Sequence, residues 1–157
     1  MKRKGIAAAV LAVLLVFASG CGRQTGVTLD VDETAAAIQS GIAFDDVLSE
    51  VSDSVVQALY PGTDEDVVQQ KVLVSTGATA EEIAVFETVD AEAAERVKAA
   101  VLRRIEEQKI NFVDYVPAEM PKLEDPYLET AGSYVIFCVS PKADDVEQLM
   151  TTLFDVR

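Results

Sequence analysis

KVLVSTGATAEEIAVFET, residues 71–88, is the stretch of the chain that determines the fold. Residues 71–76 and 82–88 are rich in β-branched and aromatic side chains, and a small, polar loop at residues 77–81 lies between them. Two such runs separated by a short loop that contains glycine are typical of a β-hairpin. The sequence therefore predicts two antiparallel strands here.

The second predicted strand carries apolar side chains on both of its faces. Ala84 and Phe86 share one face, because successive side chains of a strand point to opposite sides. Ile83 and Val85 share the other face. This pattern predicts that the strand lies in the interior of a sheet.

The longest predicted helix follows at residues 91–112, with Asp90 at its N-cap position. Pro117 disfavours the helical conformation at Val116, so we expect the helix to fray by Tyr115. Apolar residues recur at helical spacing and predict one buried stripe. They are Val97, Val101, Leu102, Ile105 and Phe112.

A second hairpin is predicted at residues 127–131 and 133–140, with its turn near Gly132. In its later strand the alternation places two sets of apolar residues on opposite faces. These sets are Tyr134, Ile136 and Cys138, and Val135, Phe137 and Val139. Residues 117–126 contain three prolines and are predicted to form an extended crossing loop.

Short helices complete the predicted domain, which spans residues 29–157. Residues 32–39 and 52–60 are predicted helices that are too short to be stable alone and must dock on the rest of the domain. Asp144 or Asp145 begins a terminal helix. The expected fold class is α+β. It is an antiparallel sheet built from two hairpins and packed by a long central helix and a C-terminal helix, with the short N-terminal helices covering an edge or the second face.

The first twenty residues have the layout of a bacterial export signal. Residues 2–4 are basic, residues 6–17 form an apolar run, and three small residues precede Cys21. Twelve helical residues span about 18 Å, well short of the roughly 30 Å hydrocarbon core of a bilayer. A permanent membrane-spanning helix is therefore the weaker interpretation.

The segment ASGC at residues 18–21 resembles a bacterial lipobox. In such signals the cysteine sulfur receives a diacylglycerol group and the chain is cut just before it. This resemblance implies a signal peptide at residues 1–20, a lipidated Cys21 with a short tether through residue 28, and a location on the outer face of the cytoplasmic membrane. An ordinary signal peptide with an incidental cysteine, and an uncleaved anchor, are the alternatives.

Three longer segments together resemble a known family. They are GATAEEIAVFE at residues 77–87, EEQKINFVDYVPAEMPKLE at residues 106–124 and GSYVIFCVS at residues 132–140. Their order and spacing are similar to those of bacterial lipoproteins that carry domain of unknown function 4358, common in Gram-positive anaerobes. The resemblance spans roughly residues 30–155. It implies a lipoprotein of a Gram-positive bacterium and a compact α+β domain, and it implies no activity.

Composition excludes several classes of function. The formal net charge of −14 argues against a nucleic-acid partner, which requires a basic surface. The chain has no histidine, which removes imidazole from every catalytic or metal-binding scheme. Cys138 is the only thiol besides Cys21, and it lies in an apolar strand where a free cysteine behaves as a small hydrophobe. We expect it to be an inert core residue and not a nucleophile or redox sensor.

The acidic residues do not match a known metal-binding motif. Residues 30–32 begin like a calcium loop, but Ala35 and Gly41 stand where that loop needs glycine and glutamate. Residues 64–66 (DED) are compact enough to attract a divalent ion weakly, and they also suit a helix N-terminus. We predict no metal, no cofactor and no catalytic residue.

Three functional hypotheses remain. The leading one is a non-catalytic binding or accessory module for an envelope protein or ligand, and its rival is an envelope enzyme that uses acidic residues or a bound divalent metal. The third is a structural component of a complex, recruited through an exposed strand edge at residues 71–76 or 127–131. Tyr115, Pro117 and Tyr134 either line a recognition groove or are partly buried at the ends of elements.

Overall fold

The computed structural model describes residues 28–155. The predicted signal peptide and Cys21 lie outside these residues. The described elements, in chain order, are α1 (Val31–Gly41), β1 (Ser49–Glu50), α2 (Asp53–Leu59), β2 (Val67–Val74), β3 (Glu82–Thr88), α3 (Ala91–Tyr115), α4 (Met120–Glu124), β4 (Tyr127–Ala131), β5 (Tyr134–Val139) and α5 (Ala143–Asp155). A short 3₁₀ turn at Pro117–Glu119 leads into α4.

The strands form one antiparallel sheet in the order β1-β2-β3-β5-β4. Both predicted hairpins are confirmed, and they join side by side through β3 and β5. The interior position predicted for β3 is confirmed too, since this strand pairs on both sides. The sequence does not predict β1, because two residues are too few to show a strand pattern.

Helices cover both faces of the sheet, and each face has its own hydrophobic cluster. The first, here called the α3 face, is covered by α3 together with α2 and α4. Its strand residues are Val72, Ala84, Phe86, Val135, Phe137 and Val139. The second, the α1 face, is covered by α1 and α5. Its strand residues are Leu73, Ile83, Val85, Tyr134, Ile136 and Cys138, so the predicted alternation of β3 and β5 is confirmed.

The long helix begins where the sequence predicts it. Asp90 is its N-cap, and its carboxylate accepts a hydrogen bond from the backbone N–H of Ala93 at 2.7 Å. Leu102, however, is 50% exposed, so its predicted place in the buried stripe is wrong. Val101, also in the predicted stripe, is buried, and neighbouring helical residues point about 100° apart, so Leu102 faces solvent.

The predicted extended loop at residues 117–126 is also wrong, because most of this segment is helical. Pro117 begins the 3₁₀ turn and Pro121 lies in the first turn of α4. Proline is tolerated at the start of a helix, where its missing N–H would have no partner within the helix anyway. Two of the three prolines therefore mark helix starts, and α4 packs Leu123 into the core of the α3 face.

The turn between β4 and β5 depends on one glycine. The loop consists of Gly132 and Ser133, and Gly132 alone of the two has a positive φ, at 63°. We expect Gly132→Ala to lower the free energy of unfolding by about 1 kcal/mol, because a side chain disfavours this left-handed conformation. Urea denaturation followed by circular dichroism measures the change. Ser133→Ala is the control, and equal stabilities for the two variants would contradict this account.

Candidate functional site

Three glutamates are buried together beside one end of the central strand. Glu81 and Glu82 are 1% and 0% exposed, and Glu119, on the 3₁₀ turn, is 7% exposed. Burying a carboxylate is costly unless cations and hydrogen-bond donors surround it. We refer to these three residues and their partners as the carboxylate cluster. It is the most distinctive polar feature of the described domain.

Glu82 is held by residues of α2 and α3. Its Oε2 atom accepts hydrogen bonds from Arg104 Nη2 at 2.9 Å and from Gln108 Nε2 at 3.0 Å. The hydroxyl of Tyr60, which caps α2, donates to the other carboxylate oxygen. Burial, and then the negative charge of Glu82, raise the pKa of Tyr60 well above its ordinary value. The phenol therefore stays protonated and acts as a donor.

Lys122, on α4, bridges three carboxylates. Its Nζ atom lies 2.8 Å from Asp45 Oδ2, 3.0 Å from Glu119 Oε2 and 3.1 Å from Glu81 Oε1. Burial alone would lower the pKa of Lys122, but the hydrogen bonds to these carboxylates outweigh it and raise that pKa above its ordinary value. The ammonium group is thus charged at neutral pH and compensates the buried acids.

Backbone donors complete the cluster and connect distant segments of the chain. Glu81 accepts hydrogen bonds from the N–H groups of Asp45 and Asp46, at 3.0 and 2.9 Å. Glu119 accepts one from the N–H of Ala80 at 2.9 Å, which ties the hairpin loop to the start of α4. These contacts fix the loop before β1, the β2–β3 loop and α4 against one another.

The chemistry of the cluster is that of a structural network. Glu82 is paired with Arg104, and Glu81 and Glu119 share Lys122. Within residues 28–155, no three acidic or thiol side chains are arranged to hold a metal ion. The buried Oε1 atom of Gln108 has no hydrogen-bond partner. The arrangement uses the carboxylates to bind other parts of the same chain.

The structure gives each acidic segment singled out from the sequence a local role. Asp30 caps α1, since its carboxylate accepts from the N–H of Glu33 at 2.8 Å. Residues 64–66 form a turn that leads into β2, so their expected place at a helix N-terminus is wrong. Asp66 binds Arg96 through a 2.6 Å ion pair, and this hydrogen bond lowers the pKa of Asp66.

Cys138 is fully buried on the α1 face, as predicted for an inert core residue. Burial raises the pKa of its thiol well above the ordinary value, which suppresses the reactive thiolate.

The tyrosines considered from the sequence as lining a recognition groove are not brought together. Tyr134 is buried on the α1 face, whereas Tyr115 is 71% exposed at the end of α3, on the other side of the sheet.

Three open grooves lie on the surface of the described domain. The first, of about 430 Å³, lies between β4 and α5 along one edge of the sheet, and we call it the edge groove. It is lined by Asp125, Pro126, Tyr127, Leu128, Glu129, Ala143, Asp144, Glu147 and Thr151. The second, of about 320 Å³, lies where α2 meets the start of β2 and is lined mainly by polar side chains. The third, of about 410 Å³, adjoins the edge groove at Asp125 and Asp144 and contains Lys122 and Lys142.

The antiparallel sheet is covered by helices on both faces, and buried carboxylates bind the surrounding loops and helices together. This arrangement is a compact α+β domain. The chain belongs to the family described as Domain of unknown function (DUF4358), whose model matches residues 45–140. The domain predicted from the family resemblance is thereby confirmed, over a shorter span than expected. The match includes the whole carboxylate cluster and leaves α1 and α5 outside. No curated protein and no solved structure matches the chain.

Proposed function

We propose that the protein is a lipid-anchored binding module of the bacterial envelope, held at the outer face of the cytoplasmic membrane through Cys21. The observation that carries this proposal is the leader: basic residues 2–4, the apolar run at 6–17 and the ASGC segment at 18–21. A diacylglyceryl cysteine supplies two acyl chains, which hold a protein stably where one chain would not. None of the helices in residues 28–155 is both long and apolar enough to cross a bilayer.

The distance from the anchor to the domain supports a position close to the membrane. The folded domain has begun by Leu29, which is 5% exposed. Seven residues, 22–28, separate Cys21 from Leu29, and even a fully extended chain of seven residues spans no more than about 25 Å. Such a short tether keeps the domain beside the headgroups, where it can engage other membrane-associated components.

Palmitate labelling of cells that express the full chain tests the anchor. We expect the wild type and Cys138→Ala to carry the palmitate label. We expect Cys21→Ser to carry no label and to retain the leader. Cys138→Ala is the matched control, because it removes the other thiol of the chain. A wild-type protein without label, or a label unchanged in Cys21→Ser, would overturn the proposed anchor.

The burial of Glu81 and Glu82 argues against these two carboxylates as the acid and base of the rival enzyme. A general acid or base must reach the substrate, either directly or through a water molecule. Glu81 and Glu82 are sealed from solvent and are bonded to Lys122 and Arg104. The edge groove, in contrast, is open to a partner.

Cross-linking in intact cells, followed by purification and mass spectrometry, tests the binding role. We expect one envelope protein or glycan to be recovered in near-equal amount with the domain. Hydrolysis of an envelope polymer by the purified full chain, lost on substitution of an exposed carboxylate, would instead support the enzyme.

A further inference from the structure

The two edges of the sheet differ in how much main chain they leave open. At one edge β1 has two residues, and it covers part of β2. At the other edge β4 has five residues, and among the described segments it pairs only with β5. Of the two edges considered from the sequence, residues 71–76 are thus partly covered and residues 127–131 are open. An edge strand offers unpaired N–H and C=O groups to an incoming strand.

The edge groove runs along this open strand and is strongly acidic. Four carboxylates line it, and its lining contains no lysine or arginine. They are Asp125, Glu129, Asp144 and Glu147. Tyr127 packs on the α1 face, and Glu129 lies on the same face because it is two residues further along the strand. This is also the face that α5 covers, so β4 and α5 present their negative charge to the same space.

We propose that an extended, basic segment of a partner protein adds to β4 as a further strand and directs lysine or arginine side chains, at every second position, into the edge groove. This inference rests on the proposed role as a binding module. Main-chain hydrogen bonds to β4 would supply affinity, and the alternate side chains would supply specificity. Basic residues are specified because four carboxylates line the groove.

A second copy of the chain is a poor occupant of this edge. It carries the same four carboxylates and a formal charge of −14. Antiparallel pairing of β4 with itself about Glu129 would place two glutamates directly opposite each other, which is destabilising. The charge of the groove therefore selects a partner of opposite sign.

The test uses the full chain in a nonionic detergent and the fluorescent peptide TKVKTKV, with TEVETEV and the rearranged KKKTVTV as comparison peptides. We expect TKVKTKV to bind most tightly, and to slow hydrogen exchange at the amides of residues 127–131.

The double variant Asp125→Lys with Glu147→Lys should weaken binding of TKVKTKV by about tenfold or more. The control, Glu107→Lys with Asp114→Lys, reverses two exposed charges on α3, across the sheet. It should change the affinity by less than about threefold, because long-range attraction is screened by salt.

Three results would overturn the inference. The first is the absence of TKVKTKV binding, and the second is binding without protection of residues 127–131. The third is equal weakening by the two double variants, because it would indicate attraction of the peptide to the overall charge of the protein. Protection of β4 that grows with protein concentration in the absence of peptide would assign the edge to a second copy. None of these results affects palmitate labelling of Cys21 or recovery of a cross-linked partner. Those two experiments therefore test the proposed function independently of this inference.

Discussion

Replacing Lys122 with methionine is expected to lower the free energy of unfolding by about 3–5 kcal/mol at neutral pH. The substitution keeps most of the side-chain volume but removes the charge that lies within 3.1 Å of both Glu81 and Glu119. Two buried carboxylates would then lack their cation. Urea denaturation of the full chain, followed by circular dichroism, measures the loss.

Two further variants make this result specific. Lys142→Met removes an exposed lysine and should change stability by less than about 0.5 kcal/mol. Adding Glu81→Gln to Lys122→Met should recover part of the loss, because the amide oxygen can still accept from the N–H groups of Asp45 and Asp46. A loss in Lys122→Met no larger than that in Lys142→Met would show that the cluster does not stabilise the fold.

The effect of Lys122 should depend on pH in one direction. Its pKa is raised in the folded protein, so its contribution is complete below the unfolded-state pKa of about 10.4. The contribution is lost as the pH rises through the higher folded-state value. The stability difference between the wild type and Lys122→Met should therefore stay level from about pH 7 to 10 and decrease at higher pH. A difference that grows above pH 10 would contradict this assignment.

Replacing Arg104 with methionine should cost a similar amount, about 3–5 kcal/mol, because it leaves Glu82 buried without its cation. Arg104→Lys should be intermediate, since an ammonium group cannot reproduce the two guanidinium hydrogen bonds to Glu82 Oε2. The same urea denaturation measurement applies to each variant.

Arg103 provides the matched control on the same helix. It is exposed, so Arg103→Met should change stability by less than about 0.5 kcal/mol. Arg104→Met combined with Glu82→Gln should be more stable than Arg104→Met alone. Similar losses for Arg103→Met and Arg104→Met would show that the pairing with Glu82 contributes little.

The sheet was predictable because both central strands show their burial in the sequence. At residues 83–86 of β3 and throughout β5, every second residue enters one hydrophobic cluster and the residues between enter the other, so period-two patterns appear on both faces. The N-terminal part of β2 was not predictable in the same way. Residues 67–70 (VVQQ) contain a bulge and two consecutive exposed residues, Val68 and Gln69, which interrupt the alternation.

The carboxylate cluster could be predicted only in part. A glutamate at position 82, in a strand predicted to be interior, requires a buried partner, and this signal is present in the sequence. The identity of the partner is not, because Tyr60 and Arg104 are each 22 residues away along the chain. Lys122 is 41 residues from Glu81. It lies on α4, which was predicted to be a loop because of the prolines in this segment. Such pairings arise from the tertiary fold and leave no local pattern.

The position of β3 at the centre of the sheet also determines when this chain can fold. One neighbour of β3, the strand β2, precedes it directly, but the other, β5, follows only after α3, α4 and β4. In a nascent chain that ends before Tyr134, the apolar strand β3 thus lacks one of its two neighbours. The hydrophobic clusters on both faces of the sheet are also incomplete. Pairings between distant segments form slowly. Folding therefore waits until β5 is available, and a chaperone that shields the hairpin of β2 and β3 until then would guard against aggregation.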